Sequence, residues 1–331
     1  MDLLYMPEST PVMGHKLQRF TGPESAPIMV LVASPSWDQQ PLSYASAKFF
    51  FELARQAGLP ASQFQFALLP QIFPPHRNYS NLDAFQQSDD AVSLEAHIRQ
   101  RQPKLIVPLD DDTLQVVSGK DSLHKYHLSI LPSVVPNVDG KVIPLLSPDY
   151  INRVYSDLPF LVRGMRRLKE ELETPGLNYT KRDYIIRPTF TQAMDYLRRC
   201  YHAEHLSIDI ETAHGQITCC GFAPTPTSAI SIPLEPKDWP TEELHQLWSA
   251  IAHVMAGPSR KVMQNHIFDA TYFSRYGIQV NNMWMDTMLA QKFLYQELSA
   301  DLATIARLWT REPYWKDEGR KWKPEDGLDQ Y

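Results

Sequence analysis

The sequence predicts a two-domain α/β protein, and three observations carry that reading. Short apolar runs alternate with longer stretches of helical periodicity, as in sheets built from strand–helix units. The length, 331 residues, suits two cores of ordinary size. Near the middle Pro175-Gly176 breaks the pattern, so a linker is placed at about 173–183, between a domain at 1–172 and one at 184–331.

Residues 1–25 are punctuated by Pro and Gly and read as irregular. The run Ile28–Ala33 is uniformly apolar, as a parallel strand covered on both faces should be. Tyr44–Ala57 reads as a helix stopped by Gly58, followed by a strand at Phe64–Leu69 and a loop holding Pro74-Pro75. A helix at 89–101 and apolar strands at Lys104–Leu109 and Lys141–Leu146 continue the alternation. Asp157–Leu172 closes the half as a helix rich in Arg, Lys and Glu. Its cluster Arg163, Arg166, Arg167 and Lys169 reads either as a solvated face or as a phosphate-binding one.

In the second half Phe190–Tyr201 is amphipathic and helical, and Leu206–Ile210, Ile217–Phe222 and Ala229–Pro233 form a meander. Thr241–Ala256 is a helix with Thr241 as its N-cap. After a short strand at Lys261–Gln264, residues 267–276 are helical up to Gly277. Asp286 caps a helix at Thr287–Tyr295, and Ser299 starts another.

Hydrophobic residues make up 43% of the chain, charged residues 21%, and the net charge is -6. That excludes a uniformly basic nucleic-acid coat while leaving room for a local groove. Three cysteines, Cys200, Cys219 and Cys220, fit no zinc or iron–sulfur spacing and suit a reducing compartment. No signal peptide is evident, and no apolar run is long enough to span a bilayer, so a cytoplasmic location and no membrane partner are expected.

The segment Ser207-Ile208-Asp209-Ile210-Glu211-Thr212 holds the chemistry. Strand alternation puts Asp209 and Glu211 on one face, where two carboxylates repel each other. A solvated strand end is the plain explanation of such a pair. Asn265-His266-Ile267-Phe268-Asp269 follows about 55 residues later, with Asn265 placed as a helix N-cap and Asp269 in the first turn. His214 and His266 flank the constellation and read as non-ligands; Phe268, Tyr272 and Phe273 read as core, and Cys219-Cys220 as packing residues.

Together the Asp-x-Glu and Asn-x-x-x-Asp segments resemble the proofreading exonuclease of family A DNA polymerases, a DEDD exonuclease. Met285-Asp286-Thr287-Met288-Leu289-Ala290 is similar to a helix start of that family, and the stretch Thr310 to Trp322, with Pro313-Tyr314-Trp315-Lys316-Asp317-Glu318-Gly319, resembles phage-type members. The resemblance covers about residues 183–331 and implies a ribonuclease H-like mixed sheet. It also implies two divalent cations, Mg or Mn, acting on the 3′ end of single-stranded DNA. By the same resemblance Asp209 bridges both ions, Glu211 holds the one that activates water, and Asp269 binds the other. Asn265 and Thr212 contact the substrate strand. The family's Tyr-x-x-x-Asp motif is missing: Tyr314 and Asp317 have the wrong spacing, and the chain stops at Tyr331. Activity without that fourth carboxylate is therefore expected to be weak or absent. No apolar wedge follows the first motif, where Ala213-His214-Gly215-Gln216 stands.

The first half looks like the uracil-DNA glycosylase superfamily, a three-layer parallel-sheet fold. The similar segments are Ile28–Ala33 with Ser34–Asp38, Pro74-Pro75, Pro103–Leu109 and Pro144–Ile151. The catalytic glycines are gone and Ser147 stands where the family has a functional His, so a non-catalytic copy is expected. The whole reads as the N-terminal part of a family A polymerase, partnered by a downstream polymerase domain or another replication protein. A ribonuclease D-like RNA exonuclease and a non-catalytic single-strand or partner-binding module are the alternatives.

Overall fold

The computed structural model describes residues 19–34, 42–70, 84 and 86–316. The segments Pro35–Asp38, Pro74-Pro75 and 317–331 lie outside the described residues. By contacts the chain divides into two units: residues up to Tyr179 with those from Ala306 on, and Thr180–Ile305. The α/β class stands, with one mixed sheet in each unit.

The first unit contains β1 (Arg19–Thr21), β2 (Ile28–Ser34), α1 (Tyr44–Gln56), β3 (Phe64–Pro70), α2 (Asp89–Arg101), β4 (Leu105–Pro108), α3 (Asp111–Ser118), α4 (Leu123–Tyr126), β5 (Leu131–Pro132), β6 (Lys141–Val142), α5 (Pro148–Arg153) and α6 (Leu158–Glu173). Its sheet runs β1-β3-β2-β4-β6-β5. The four inner strands are parallel, and β1 and β5 add antiparallel edges. So residues 19–21, read as irregular, form an edge strand instead. The strand expected over Lys141–Leu146 keeps its ladder only at Lys141–Val142, although Ile143 and Leu145 still donate to Ile106 and Pro108. Pro144 has no N–H to donate, which interrupts regular pairing.

The expected basic face of α6 is only partly solvated. Arg167 is 1% exposed and donates to the carbonyls of Leu128 and Thr310, and Arg163 donates to Leu308 at 2.9 Å. Burial pulls Arg167 down to about 10. These arginines bind the residues from Ala306 on, which were read as part of the second domain. Glu171 makes the strongest tie: Lys141 reaches it at 2.6 Å with both side chains buried, and Arg311 forks onto its two oxygens at 2.8 Å each.

The second unit contains β7 (Asp183–Ile186), α7 (Phe190–Tyr201), β8 (His205–Ala213), β9 (Gln216–Thr225), β10 (Ser228–Pro233), α8 (Thr241–Ala256), β11 (Arg260–Met263), α9 (His266–Arg275), β12 (Met283–Asp286) and α10 (Thr287–Leu294); α11 (Leu302–Trp309) runs across the division. The sheet runs β12-β11-β8-β9-β10-β7. The β8–β9–β10 meander is antiparallel, while β11, β12 and β7 join in parallel. A capping box of Thr189 and Gln192 starts α7. Pro240 is the residue before α8, so Thr241 is not its cap but its first helical residue. The core lies on one face of the sheet, where Leu206, Ile208 and Ile210 meet Tyr196, Leu197, Leu247, Ile251 and Phe273.

Candidate functional site

Alternation along β8 sends Leu206, Ile208 and Ile210 into the core and leaves His205, Ser207, Asp209 and Glu211 on the opposite face. The pairing register agrees, with Asp209 opposite Gly221 and Glu211 opposite Cys219. Immediately after Glu211 the register slips, a bulge of the kind that re-aims side chains beside functional sites. The extra residue is Thr218 on β9, and Thr212 pairs with Ile217 just past the shift. The strands then close through His214-Gly215, both with positive φ (51° and 77°), the geometry of a two-residue hairpin turn. His214 is exposed there.

Helix α9 delivers the third carboxylate. Asp269 lies in its first turn and is 2% exposed. Burial pushes its pKa up to about 7 and the Asp209 charge adds to that, while the N–H groups of Asp269 itself and Ile210 pull the other way. Among the described residues, Asp269 Oδ1 is buried without a hydrogen-bond partner. The Asp209 carboxyl is likewise raised, first by burial and then by Glu211 beside it. Even the Cys220 thiol, fully buried in the core and raised by that burial, feels both Asp269 and Asp209. Two carboxylates 60 residues apart in sequence thus share one neighbourhood, at a cost that hydrophobic residues there would not incur.

Such a cost needs a compensating partner, and the donor set defines it. A buried, unpaired carboxylate oxygen beside a second carboxylate fits a divalent cation with oxygen ligands. Among the described residues no three His, Cys, Asp or Glu side chains stand together as a ready-made cage.

Asn265 occupies the position before α9 but does not cap it, and its backbone is left-handed (φ 59°, ψ 53°), a conformation Asn tolerates. The capping comes from Asp286. Its carboxylate accepts from the N–H groups of Asn265 (3.1 Å) and His266 (2.9 Å), from His266 Nδ1 (2.8 Å), and from Met288 and Leu289 at the start of α10. Burial pushes this carboxyl up, but the His266 ring and these N–H groups outweigh that and hold it below the usual range. The sequence shows Asp286 as the cap of α10; its hold on α9 joins residues 20 apart and has no local signature.

Phe273 is fully buried and Tyr272 packs against the core, but Phe268 is 44% exposed, contrary to its reading as core. The reason is phase. With Asp269 and Phe273 facing inward, Phe268 falls on the outer side of α9 against the Tyr272 ring at 4.9 Å. The Arg275 guanidinium lies over the Tyr272 ring, 4.5 Å from its centre. Cys219 and Cys220 are buried packing residues, as expected.

Residues 184–322 match the family described as 3′-5′ exonuclease. The matched part of the chain holds Asp209, Glu211 and Asp269. Among solved structures, the EXO domain of Nibbler from Aedes aegypti is similar over 44% of this chain and 82% of its own, at 16% identity and a TM-score of 0.33. No curated protein matches. No helix among the described residues is long and apolar enough to cross a membrane.

Proposed function

We propose that the chain is the proofreading part of a family A DNA polymerase, removing nucleotides from the 3′ end of single-stranded DNA with two Mg or Mn ions. The supporting observation is the convergence of Asp209 and Asp269, from separate elements: the Asp209 charge helps raise the Asp269 carboxyl, and one Asp269 oxygen is buried with no hydrogen-bond partner among the described residues. Asp209, Glu211 and Asp269 are the ligands in this reading. When bound, the ions supply hydroxide at neutral pH and offset charge on the scissile phosphate. Asp269, held on a capped helix, presents its carboxylate to β8 without reorganising. Asn265 has its amide released from capping duty and orients the substrate strand with Thr212, which stands just past the register shift. The partly exposed Phe268 and the Tyr272–Arg275 pair fit a single strand, whose bases stack on aromatic faces.

The first unit, in this proposal, is a glycosylase-like fold without glycosylase chemistry that serves as a scaffold or contacts DNA or a replication partner. A second reading, a non-catalytic single-strand binder, is favoured by the lack of a ready three-ligand cage among the described residues.

The test is shortening of matched 5′-labelled DNA and RNA oligonucleotides in Mg or Mn. A ladder from the 3′ end of DNA, faster than on RNA, supports the proposal. Faster cutting of RNA moves the chain to the ribonuclease D-like class, and tight binding without cutting of either moves it to the binding module.

A further inference from the structure

Asp286 gathers the two helix starts at the site with a single side chain that is 5% exposed. Oδ1 takes the N–H groups of Asn265, Met288 and Leu289, and Oδ2 takes the N–H and ring Nδ1 of His266. An ordinary cap serves one helix and satisfies one or two orphan donors. Here one carboxylate satisfies four backbone donors from two helices and also bonds an imidazole nitrogen. The strand β12 that ends at Asp286 is itself hydrogen-bonded to β11, and β11 to β8, so the anchor is fixed to the sheet that holds Asp209 and Glu211. Among the described residues, Asn265 itself makes no side-chain cap bond with the helix.

Resting on the exonuclease reading above, we propose that Asp286 is the positioning residue of the site: through His266 and the Asn265 N–H it fixes the place of Asp269 and frees the Asn265 amide for substrate. Three backbone steps separate His266 from Asp269 within one helical turn, so a loosened helix start moves the Asp269 carboxylate directly. Asp286 itself touches neither substrate nor metal in this scheme. His266 acts as the arm of the clamp rather than as a ligand, which accounts for an imidazole beside a carboxylate cluster.

The experiment is titration of the full chain with Mn2+, free ion being read by its electron paramagnetic resonance signal, for the parent, Asp209→Ala and Asp286→Asn. Asparagine keeps the shape of Asp286 but turns an amide donor toward the His266 N–H and ring. Loss of a residue that orients a ligand costs about 10- to 100-fold in metal affinity, so Asp286→Asn is expected to bind Mn2+ that much more weakly than the parent. Under a purely structural role the unfolding temperature falls while the folded protein keeps its Mn2+ affinity; parent-like affinity in Asp286→Asn overturns the proposal. Should that variant fail to fold, His266→Ala removes one of the five bonds and is expected to weaken Mn2+ binding by roughly 3- to 10-fold, and unchanged affinity overturns the proposal equally. A parent chain whose Mn2+ binding is absent, or unaffected by Asp209→Ala, rejects the metal site itself and the positioning role with it.

Discussion

Asp269→Asn is predicted to stabilise the protein while abolishing its nuclease activity. The side chain is 2% exposed, and its carboxyl stands at about 7 instead of 3.8 because of burial and the Asp209 charge. At about 1.4 kcal/mol per tenfold change in proton affinity, ionising it in the folded chain costs about 4 kcal/mol. Water reaching the neighbouring Asp209 screens part of this, so about 2–4 kcal/mol is a fair expectation. The sign follows from linkage. The folded value lies above the unfolded one, so the folded state holds a proton that the unfolded state has released. The penalty is absent below about pH 4, grows as pH rises toward 7, and is complete above that. Asparagine removes the charge and keeps the shape, so the gain should be near zero at pH 4 and full at pH 8. Urea unfolding of parent and variant in chelator at the two pH values reads this directly. A variant equally destabilised at both, or a gain of the same size at both, refutes the claim that charge repulsion is stored at this position.

Glu171→Ala should cost about 3–5 kcal/mol in urea unfolding, because it strands Lys141, 4% exposed, without its carboxylate and releases Arg311. Gly164→Ala in α6 should lower stability by about 1–3 kcal/mol, since a Cβ there meets Leu145 Cδ2 at 2.5 Å; an unchanged unfolding midpoint would contradict that packing. His127 is pulled down to about 3 by burial, with Arg307 adding to it, so it stays neutral in the folded chain. Its contribution is present above about pH 6.5 and is lost as pH falls toward 3; His127→Leu should flatten the acid side of the stability profile in that window.

Where a side-chain pattern alone decides an element, the sequence was legible. Phe190–Tyr201 is placed by its amphipathic periodicity with the bounds the structure shows, though its capping box at Thr189 and Gln192 is not read there. The same holds for Asp209 and Glu211, whose shared face follows from alternation and needs no tertiary information. Legibility fails where distant groups decide. Residues 19–21 carry no strand signal of their own and become one only by pairing with β3. The stretch from Ala306 reads as the end of the exonuclease half, yet Glu171, Arg163 and Arg167 bind it to the first unit through contacts more than 130 residues long in sequence. Phe268 looks apolar and therefore buried, but the helical phase set by Asp269 and Phe273 turns it outward. The double grip of Asp286 is invisible for the same reason: half of it is local, and half exists only once β11 and β12 are paired.

The central claim is that the Asp209 site hydrolyses DNA from the 3′ end. The most direct measurement follows 5′-labelled single-stranded DNA with Mg or Mn, using this chain and Asp209→Ala side by side. The account predicts stepwise shortening from the 3′ end by the parent, slow if a fourth carboxylate is needed, and none by the variant. Equal cutting by the two, or no cutting by the parent together with Mn2+ binding that Asp209→Ala leaves unchanged, contradicts it.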